Sequence, residues 1–142
     1  MELDDSIYAR VTDVCDIAEQ RIEAGDYASA IRAYQDAYAL LPDPREQWEA
    51  ATWILTGIGD AYWYLDNYES ARDSLIQAIR CPGGLGNPFV HLRLGQVEFE
   101  LGNEPRAVDE LARAYMGGGA EIFQSEDPRY LRFLAEHIKM EN

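Results

Sequence analysis

Apolar side chains recur along most of the chain with the three- and four-residue spacing of amphipathic helices. Glycine, asparagine, aspartate and proline residues interrupt this spacing and mark turns. The pattern predicts helices at about 5–24, 27–41, 45–65, 68–80, 88–101, 104–116 and 128–139. Four prolines lie in the first turns of these helices, where a missing N–H is tolerated: Pro44, Pro88, Pro105 and Pro128. The sequence therefore predicts an all-α fold.

Small residues recur at matching positions in three consecutive pairs of predicted helices. The first helix of each pair carries one, at Ala18, Gly59 and Gly95. The second helix carries an alanine twelve positions later, at Ala30, Ala71 and Ala107. One turn beyond, on the same face, lie Tyr34, Leu75 and Leu111, followed by Ala37, Ala78 and Ala114. A small residue on each of two helices lets their axes approach closely, so the spacing predicts three tight helical hairpins. Their turns are expected at 24–26, 65–67 and 101–103, where a glycine or asparagine can adopt the left-handed conformation.

This arrangement resembles the tetratricopeptide repeat, a helix-turn-helix unit of about 34 residues. The resemblance covers roughly residues 11–120 and implies a right-handed superhelix of three such pairs in a single domain of 142 residues. The repeats fall at about 11–44, 52–85 and 88–119, and a C-terminal capping helix falls at about 128–139. The chain departs from the family by extra residues around 43–48 and 81–88, and by three glycines, 117–119, in place of a closing proline.

In this family the first helix of each pair lines the concave side, so the resemblance implies a partner-binding surface there. The residues expected to bind a partner are Asp16, Glu19, Glu23, Trp53, Asp60, Trp63, Tyr64, Phe89, Arg93, Gln96 and Phe99. Aromatic side chains are the usual anchors of interfaces. Two alternatives stay open. Trp53 and Trp63 can instead fill the core, and the carboxylates can form only a solvated face.

The chain is strongly acidic, with 12 Lys and Arg residues against 26 Asp and Glu residues and a formal net charge of −14. This charge disfavours nucleic acid and anionic membranes as ligands and favours a basic protein partner. Some tetratricopeptide proteins hold acidic chaperone tails with Lys, Arg and Asn at the inward positions. The matching positions here carry Cys15, Asp16, Glu19, Thr56 and Asp60. Only Arg93 and Gln96 suit an anion, so an acidic tail is not the expected ligand.

The sequence carries no pattern that indicates catalysis, a metal site or a cofactor. His91 and His137 lie on different predicted helices, and neither is flanked by a nucleophile-like turn. The glycine-rich run at 83–86 lacks the Lys-Ser/Thr of a phosphate-binding loop and is typical of a turn. Cys15 and Cys81 are expected to be free thiols, and acidic neighbours should raise the pKa of Cys15. We expect a non-enzymatic protein without a metal or cofactor.

Two functions are compatible with these expectations. The run 81–96 and the tail 126–131 loosely resemble small bacterial tetratricopeptide proteins of the toxin-immunity kind. That resemblance implies an acidic immunity protein that binds and blocks a basic toxin or effector domain. The alternative is a general adaptor or chaperone-like protein that binds extended peptides. The start of the chain does not resemble a secretion signal, and no apolar run is long enough to cross a membrane, so a cytoplasmic location is expected.

Overall fold

The computed structural model describes residues 2–140, which form helices and turns and contain no strand. The α-helices are α1 (Asp5–Glu23), α2 (Tyr27–Ala39), α3 (Glu49–Tyr64), α4 (Tyr68–Ile79), α5 (Pro88–Glu100), α6 (Glu104–Gly118) and α7 (Pro128–Ala135). Short 3-10 helices lie at Arg45–Gln47 and Ala120–Phe123. The predicted all-α fold is confirmed. Within residues 2–140, no helix combines the length and apolar composition that a membrane span requires.

The chain divides into two compact units, with the boundary between Leu85 and Gly86. The first unit contains α1 to α4, and the second contains α5 to α7. Helix α1 packs with α2 and helix α3 with α4, while α5 packs with α6. These contacts form the three helical hairpins that the sequence predicts.

Side-chain hydrogen bonds fix where several helices begin. The Asp26 carboxylate accepts the Ser29 N–H at the start of α2 (3.1 Å), and the Asn67 side chain accepts the Ser70 N–H at the start of α4 (3.3 Å). Such caps satisfy backbone donors that have no acceptor within the helix.

A residue in the left-handed conformation ends the first helix of each hairpin. Gly25 and Gly102 occupy this position in the first and third hairpins, with φ of +76° and +81°. In the second hairpin it is Asp66, with φ of 58°, and not the expected Asn67, which caps α4 instead. Aspartate tolerates this conformation better than most residues because its short polar side chain can bond locally. The turn positions were therefore predicted correctly, and the turn residue in the second hairpin was not.

Small residues bring the helices of each hairpin together, as their spacing predicts. The alanines of the pattern are fully buried: Ala18, Ala30, Ala37, Ala71, Ala78, Ala107 and Ala114. A Cβ atom placed on Gly59 would lie 2.6 Å from Leu75 Cγ, and one placed on Gly95 would lie 2.6 Å from Leu111 Cγ. These separations are far shorter than a van der Waals contact, so both glycines are required by close helix packing.

Helix α3 begins at Glu49, later than the predicted start at 45. Trp48 interrupts the helix because its backbone is extended, with φ of −98° and ψ of 142°. Its indole N–H donates to the Pro42 carbonyl at 2.8 Å. The preceding segment, Arg45–Gln47, therefore forms a separate 3-10 helix.

Helix α6 extends to Gly118, beyond its predicted end at 116. Gly117 and Gly118 are helical, and neighbouring side chains occupy the space that a Cβ atom would need at each of them. One placed on Gly117 would lie 2.9 Å from Pro88 Cγ. Only Gly119 of the three glycines is left-handed, with φ of +71°, so the predicted glycine turn is confined to it.

The last helix is shorter than predicted and ends before residue 139. Of the apolar face predicted for it, Leu134 is buried, whereas Leu131 and Ile138 are half-buried. Tyr130 and Phe133 supply the rest of the buried face. The helix packs on α6 and on the 3-10 helix Ala120–Phe123.

Candidate functional site

Aromatic and acidic side chains lie along α1 and α3 of the first unit, at separations of three, four, seven or eight residues that recur on one side of a helix. We call this surface the α1–α3 face. Its members are Tyr8, Asp16, Glu19 and Glu23 of α1 and Trp53, Asp60 and Tyr64 of α3. All of them except Tyr8 belong to the set that the sequence predicts to bind a partner. All of them except Asp60, which is half-buried, are exposed.

Each of the two helices buries one stripe of its surface and leaves this face accessible. Helix α1 buries Val11, Cys15 and Ala18. Helix α3 buries a wider apolar surface that includes Ile54, Leu55, Ile58 and Ala61. When one stripe of an amphipathic helix packs into a core, the opposite stripe faces solvent. Trp53 is accordingly 43% exposed, which excludes the interpretation that it fills the core.

Tyr34 of α2 lies near the middle of the α1–α3 face, close to residues of both helices. Its ring lies against Gly57 of α3, since a Cβ atom there would be 2.5 Å from Tyr34 Cζ. Burial is the largest cause that raises the pKa of Tyr34 to about 12, and the negative charges of Glu19, Cys15 and Asp60 contribute to this rise. Glu19 and Asp60 thus act on the same hydroxyl from different helices. The middle of the α1–α3 face is therefore negatively charged.

Aromatic pairs lie at both ends of the α1–α3 face. The rings of Tyr8 and Trp53 meet edge to face with centroids 6.1 Å apart. Tyr64 stacks on Tyr27 with centroids 5.0 Å apart and remains 48% exposed. Such pairs hold large apolar surfaces in fixed positions, which suits them as interface anchors. Trp63, also predicted to bind a partner, is half-buried, and its ring lies 5.5 Å from that of Tyr68, the first residue of α4.

In the second unit, the structure corrects the expectation that Arg93 and Gln96 are accessible to a partner. The two side chains are 2% and 0% exposed. Arg93 Nη1 and Gln96 Nε2 both donate to Glu126 Oε1, at 2.8 and 2.9 Å. Arg93 also donates to Gln96 Oε1 at 2.8 Å. The chain's own carboxylate therefore occupies the two groups that were thought to suit an anion.

The two phenylalanines expected at the same surface differ from each other. Phe89 is 41% exposed, and the Arg93 guanidinium lies 5.3 Å from its ring centroid. Phe99 is half-buried and packs edge to face on Tyr130 and Phe133 of α7, with centroids 5.4 and 5.0 Å apart. Phe99 therefore packs α7 against α5 through part of its ring.

The network around Glu126 makes a prediction about acid stability. Burial raises the pKa of the Glu126 carboxyl, but hydrogen bonds from Gln96 and the charge of Arg93 outweigh burial, so the pKa lies below its ordinary value of 4.5. A carboxyl with a lowered folded pKa stabilises the fold above its unfolded pKa and loses this contribution as pH falls through the folded pKa. We expect the difference in unfolding free energy between wild type and Glu126→Gln to be largest near neutral pH and to shrink below pH 4.5. Urea denaturation across this range measures it, and a pH-independent difference would contradict the assignment.

His91 is a buried structural link and not a candidate catalyst. Its Nε2 atom accepts the Gly86 N–H at 2.9 Å, so its proton resides on Nδ1. Nδ1 then donates to Glu110 Oε2 at 2.7 Å. Glu110 also accepts a hydrogen bond from Arg106 Nε at 3.3 Å. Both ring nitrogens are engaged, which leaves neither available to move a proton from a substrate.

His137 and Cys15 differ from His91 in their surroundings. His137 is exposed, and its Nδ1 atom lies 2.9 Å from the Phe133 carbonyl. Burial raises the pKa of Cys15 to about 11, with further contributions from Glu19 and Asp16. The predicted direction is confirmed, although burial and not the acidic neighbours is the larger cause. Among residues 2–140, no group of three His, Cys, Asp or Glu side chains is arranged to hold a metal ion.

Sequence reasoning missed several residues of the first unit that belong to the α1–α3 face or lie beside it. Tyr8 precedes the acidic residues of α1 at helical spacing, so the pattern contained a signal for it. Glu49 is the first residue of α3, whereas the sequence pattern predicts that this helix begins at 45. The contact of Tyr34 with Gly57 joins distant parts of the chain and has no local signal.

Comparison with known proteins supports the tetratricopeptide resemblance. Residues 56–121 match the family described as tetratricopeptide repeat. No curated protein matches the chain significantly.

Solved structures of low sequence identity share the fold. The chain is similar to the type III secretion chaperone SycD of Yersinia enterocolitica, solved with a peptide of the translocator YopD, at 16% identity and a TM-score of 0.72. That match covers 90% of this chain and 92% of SycD. It is also similar to the second tetratricopeptide domain of human RPAP3, solved with the HSP70 peptide SGPTIEEVD, at 18% identity and a TM-score of 0.68. This second match covers 92% of this chain and 96% of that domain.

Proposed function

We propose that this chain, whose residues 56–121 match the tetratricopeptide repeat family, is a peptide-binding adaptor or chaperone-like protein. The observation that carries the proposal is the α1–α3 face, where exposed aromatic rings stand among carboxylates. Rigid aromatic side chains provide large contact area at low entropic cost. SycD and RPAP3, which share the fold, were each solved with a bound peptide.

The charge of this surface favours a basic peptide. The α1–α3 face carries Asp16, Glu19, Glu23 and Asp60, and the net charge of the whole chain is −14. The HSP70 peptide solved with RPAP3 ends in the acidic sequence EEVD. Here such a tail would meet carboxylates, and Arg93 is already engaged by Glu126. Like charges at an interface suppress binding, whereas opposite charges steer association.

The immunity-protein hypothesis is a second candidate, and it depends on the net charge of −14. A strongly acidic inhibitor would capture a basic toxin domain quickly because complementary charge raises association rates. The comparisons lend it no support, and they agree better with an adaptor. Rescue of growth on co-expression with a basic toxin domain would favour it over the adaptor.

A binding assay with matched peptides tests the proposed function. We expect a labelled peptide of alternating arginine and leucine to bind with a dissociation constant on the order of micromolar in fluorescence anisotropy. A peptide of alternating glutamate and leucine should not bind. Trp53→Ala should weaken binding of the basic peptide by more than about 1 kcal/mol. Asp60→Lys should slow association and flatten its dependence on salt.

Two control variants keep this assay specific. Leu85→Ala removes an apolar side chain that is 69% exposed and lies outside the α1–α3 face. Asp73→Lys makes the same charge change as Asp60→Lys on the exposed surface of α4. Both should bind like wild type. Equal binding of the acidic and basic peptides, or equal losses in the control variants, would refute the proposed function.

A further inference from the structure

A cleft of about 630 Å³ opens in the first unit where α1 and α3 begin. Tyr8 and Trp53 line it, and their rings meet at an interplanar angle of 89°. Trp48 also lines it, and its ring is held in place by the indole hydrogen bond to the Pro42 carbonyl. The cleft therefore has aromatic walls whose positions are set by packing and hydrogen bonding.

The same cleft also contains acidic side chains. Glu2, Asp5 and Glu49 line the cleft, and none of the described residues that line it is Lys or Arg. The N-termini of α1 and α3 lie nearby, and each contributes a partial charge of about +0.5. Together they amount to about +1, which offsets only part of three carboxylate charges. The cleft consequently attracts a cation.

We propose that this cleft binds an arginine side chain of a peptide partner. A guanidinium is planar and permanently charged, so it can stack on the rings of Tyr8 and Trp53 while donating to the carboxylates around them. The cleft is larger than one side chain, which leaves space for the peptide backbone on either side of the arginine. That this arginine belongs to a peptide rests on the proposed function.

Charge and shape distinguish arginine from other occupants. A purely apolar ligand would take water away from the carboxylates without replacing their hydrogen bonds, which is costly. A lysine ammonium is a compact, strongly hydrated charge that stacks less well on aromatic rings. The assignment therefore predicts selectivity for a guanidinium over a neutral group of the same shape.

Selectivity can be measured without a peptide. In an NMR titration, N-acetyl-arginine methylamide should shift the indole N–H signal of Trp53 until it saturates, with a dissociation constant on the order of millimolar. The matched probe is N-acetyl-citrulline methylamide, which has the same shape and no charge. It should bind at least about tenfold more weakly. Equal shifts with both probes, or no saturable shift at Trp53, would overturn the proposal.

Substitutions of cleft residues test whether the difference in binding between the two probes arises in the cleft. Tyr8→Ala should remove most of the difference between the two probes, and Glu49→Gln should reduce it. Tyr8 is 49% exposed and Glu49 is exposed, so neither change removes a buried side chain. Leu85→Ala, outside the cleft, should titrate like wild type. If Tyr8→Ala lost its helical circular dichroism, Glu49→Gln would decide the result alone, and an undiminished preference for arginine would refute the assignment.

The outcomes separate this inference from the proposed function. If no peptide binds but the arginine probe still selects the cleft, the proposed function fails and the cleft assignment stands. If the basic peptide binds, its arginines can be replaced by citrulline and the affinity measured with wild type and Tyr8→Ala. Equal losses of affinity with both proteins would refute the cleft assignment and leave the proposed function intact.

Discussion

Replacing Glu126 with alanine is expected to lower the free energy of unfolding by about 3 kcal/mol. The change removes the acceptor shared by Arg93 Nη1 and Gln96 Nε2, whose side chains are 2% and 0% exposed. Removing one member of a buried ion pair costs about 3–5 kcal/mol because the other charge stays in the interior. We expect the lower end of this range because the Glu126 side chain is 16% exposed and water can reach it. Urea denaturation at neutral pH measures the effect.

Glu121→Ala is the matched control for this variant. Glu121 is an exposed acid in the same segment, within the 3-10 helix Ala120–Phe123. Its removal makes the same change in net charge and should alter stability by no more than about 0.5 kcal/mol. Equal losses in the two variants would show that the effect is one of net charge and not of the Arg93 network.

Replacing Gly95 with valine is expected to destabilise the protein by about 3 kcal/mol. A Cβ atom at this position would lie 2.6 Å from Leu111 Cγ, 2.7 Å from its Cδ2 and 3.0 Å from its backbone nitrogen. The leucine can rotate, but its backbone nitrogen can move only if α5 and α6 separate along their contact. Overpacking of a well-packed core costs about 1–3 kcal/mol, and the backbone contact places this variant at the upper end. Thermal unfolding followed by circular dichroism measures the loss.

Two comparisons test the packing explanation. Ala28→Val adds bulk at an exposed position of α2 and should cost no more than about 0.5 kcal/mol. Leu111→Ala removes the side chain that a valine at position 95 would overlap. If the explanation is correct, the double variant Gly95→Val/Leu111→Ala should lose less stability than the sum of the single variants. Strict additivity would mean that Gly95 and Leu111 do not clash.

Much of the α1–α3 face was predictable because its residues follow one another at helical spacing. Asp16, Glu19 and Glu23 share a stripe of α1 that lies beside the buried residues Val11, Cys15 and Ala18 and stays exposed. Periodicity alone could not decide the exposure of the tryptophans. Trp53 and Trp63 lie on the same helix, yet the first is 43% exposed and the second is half-buried near Tyr68.

The helices, their turns and their closest contacts follow from local sequence. Capping side chains, left-handed turn residues and small residues at a fixed spacing each act within a few turns of helix. This is why the sequence alone predicts the alanine and glycine positions at which the helices of all three hairpins approach closely.

Only the tertiary structure could show which polar groups remain accessible. Arg93 and Gln96 lie on a helix face that the repeat pattern assigns to a ligand, but Glu126 reaches them from 33 and 30 positions away along the chain. The cleft beside Tyr8 and Trp53 likewise combines side chains from α1 and α3 with Trp48. Hydrogen bonds and ring contacts between distant segments depend on how the helices pack, and helical periodicity carries no information about them.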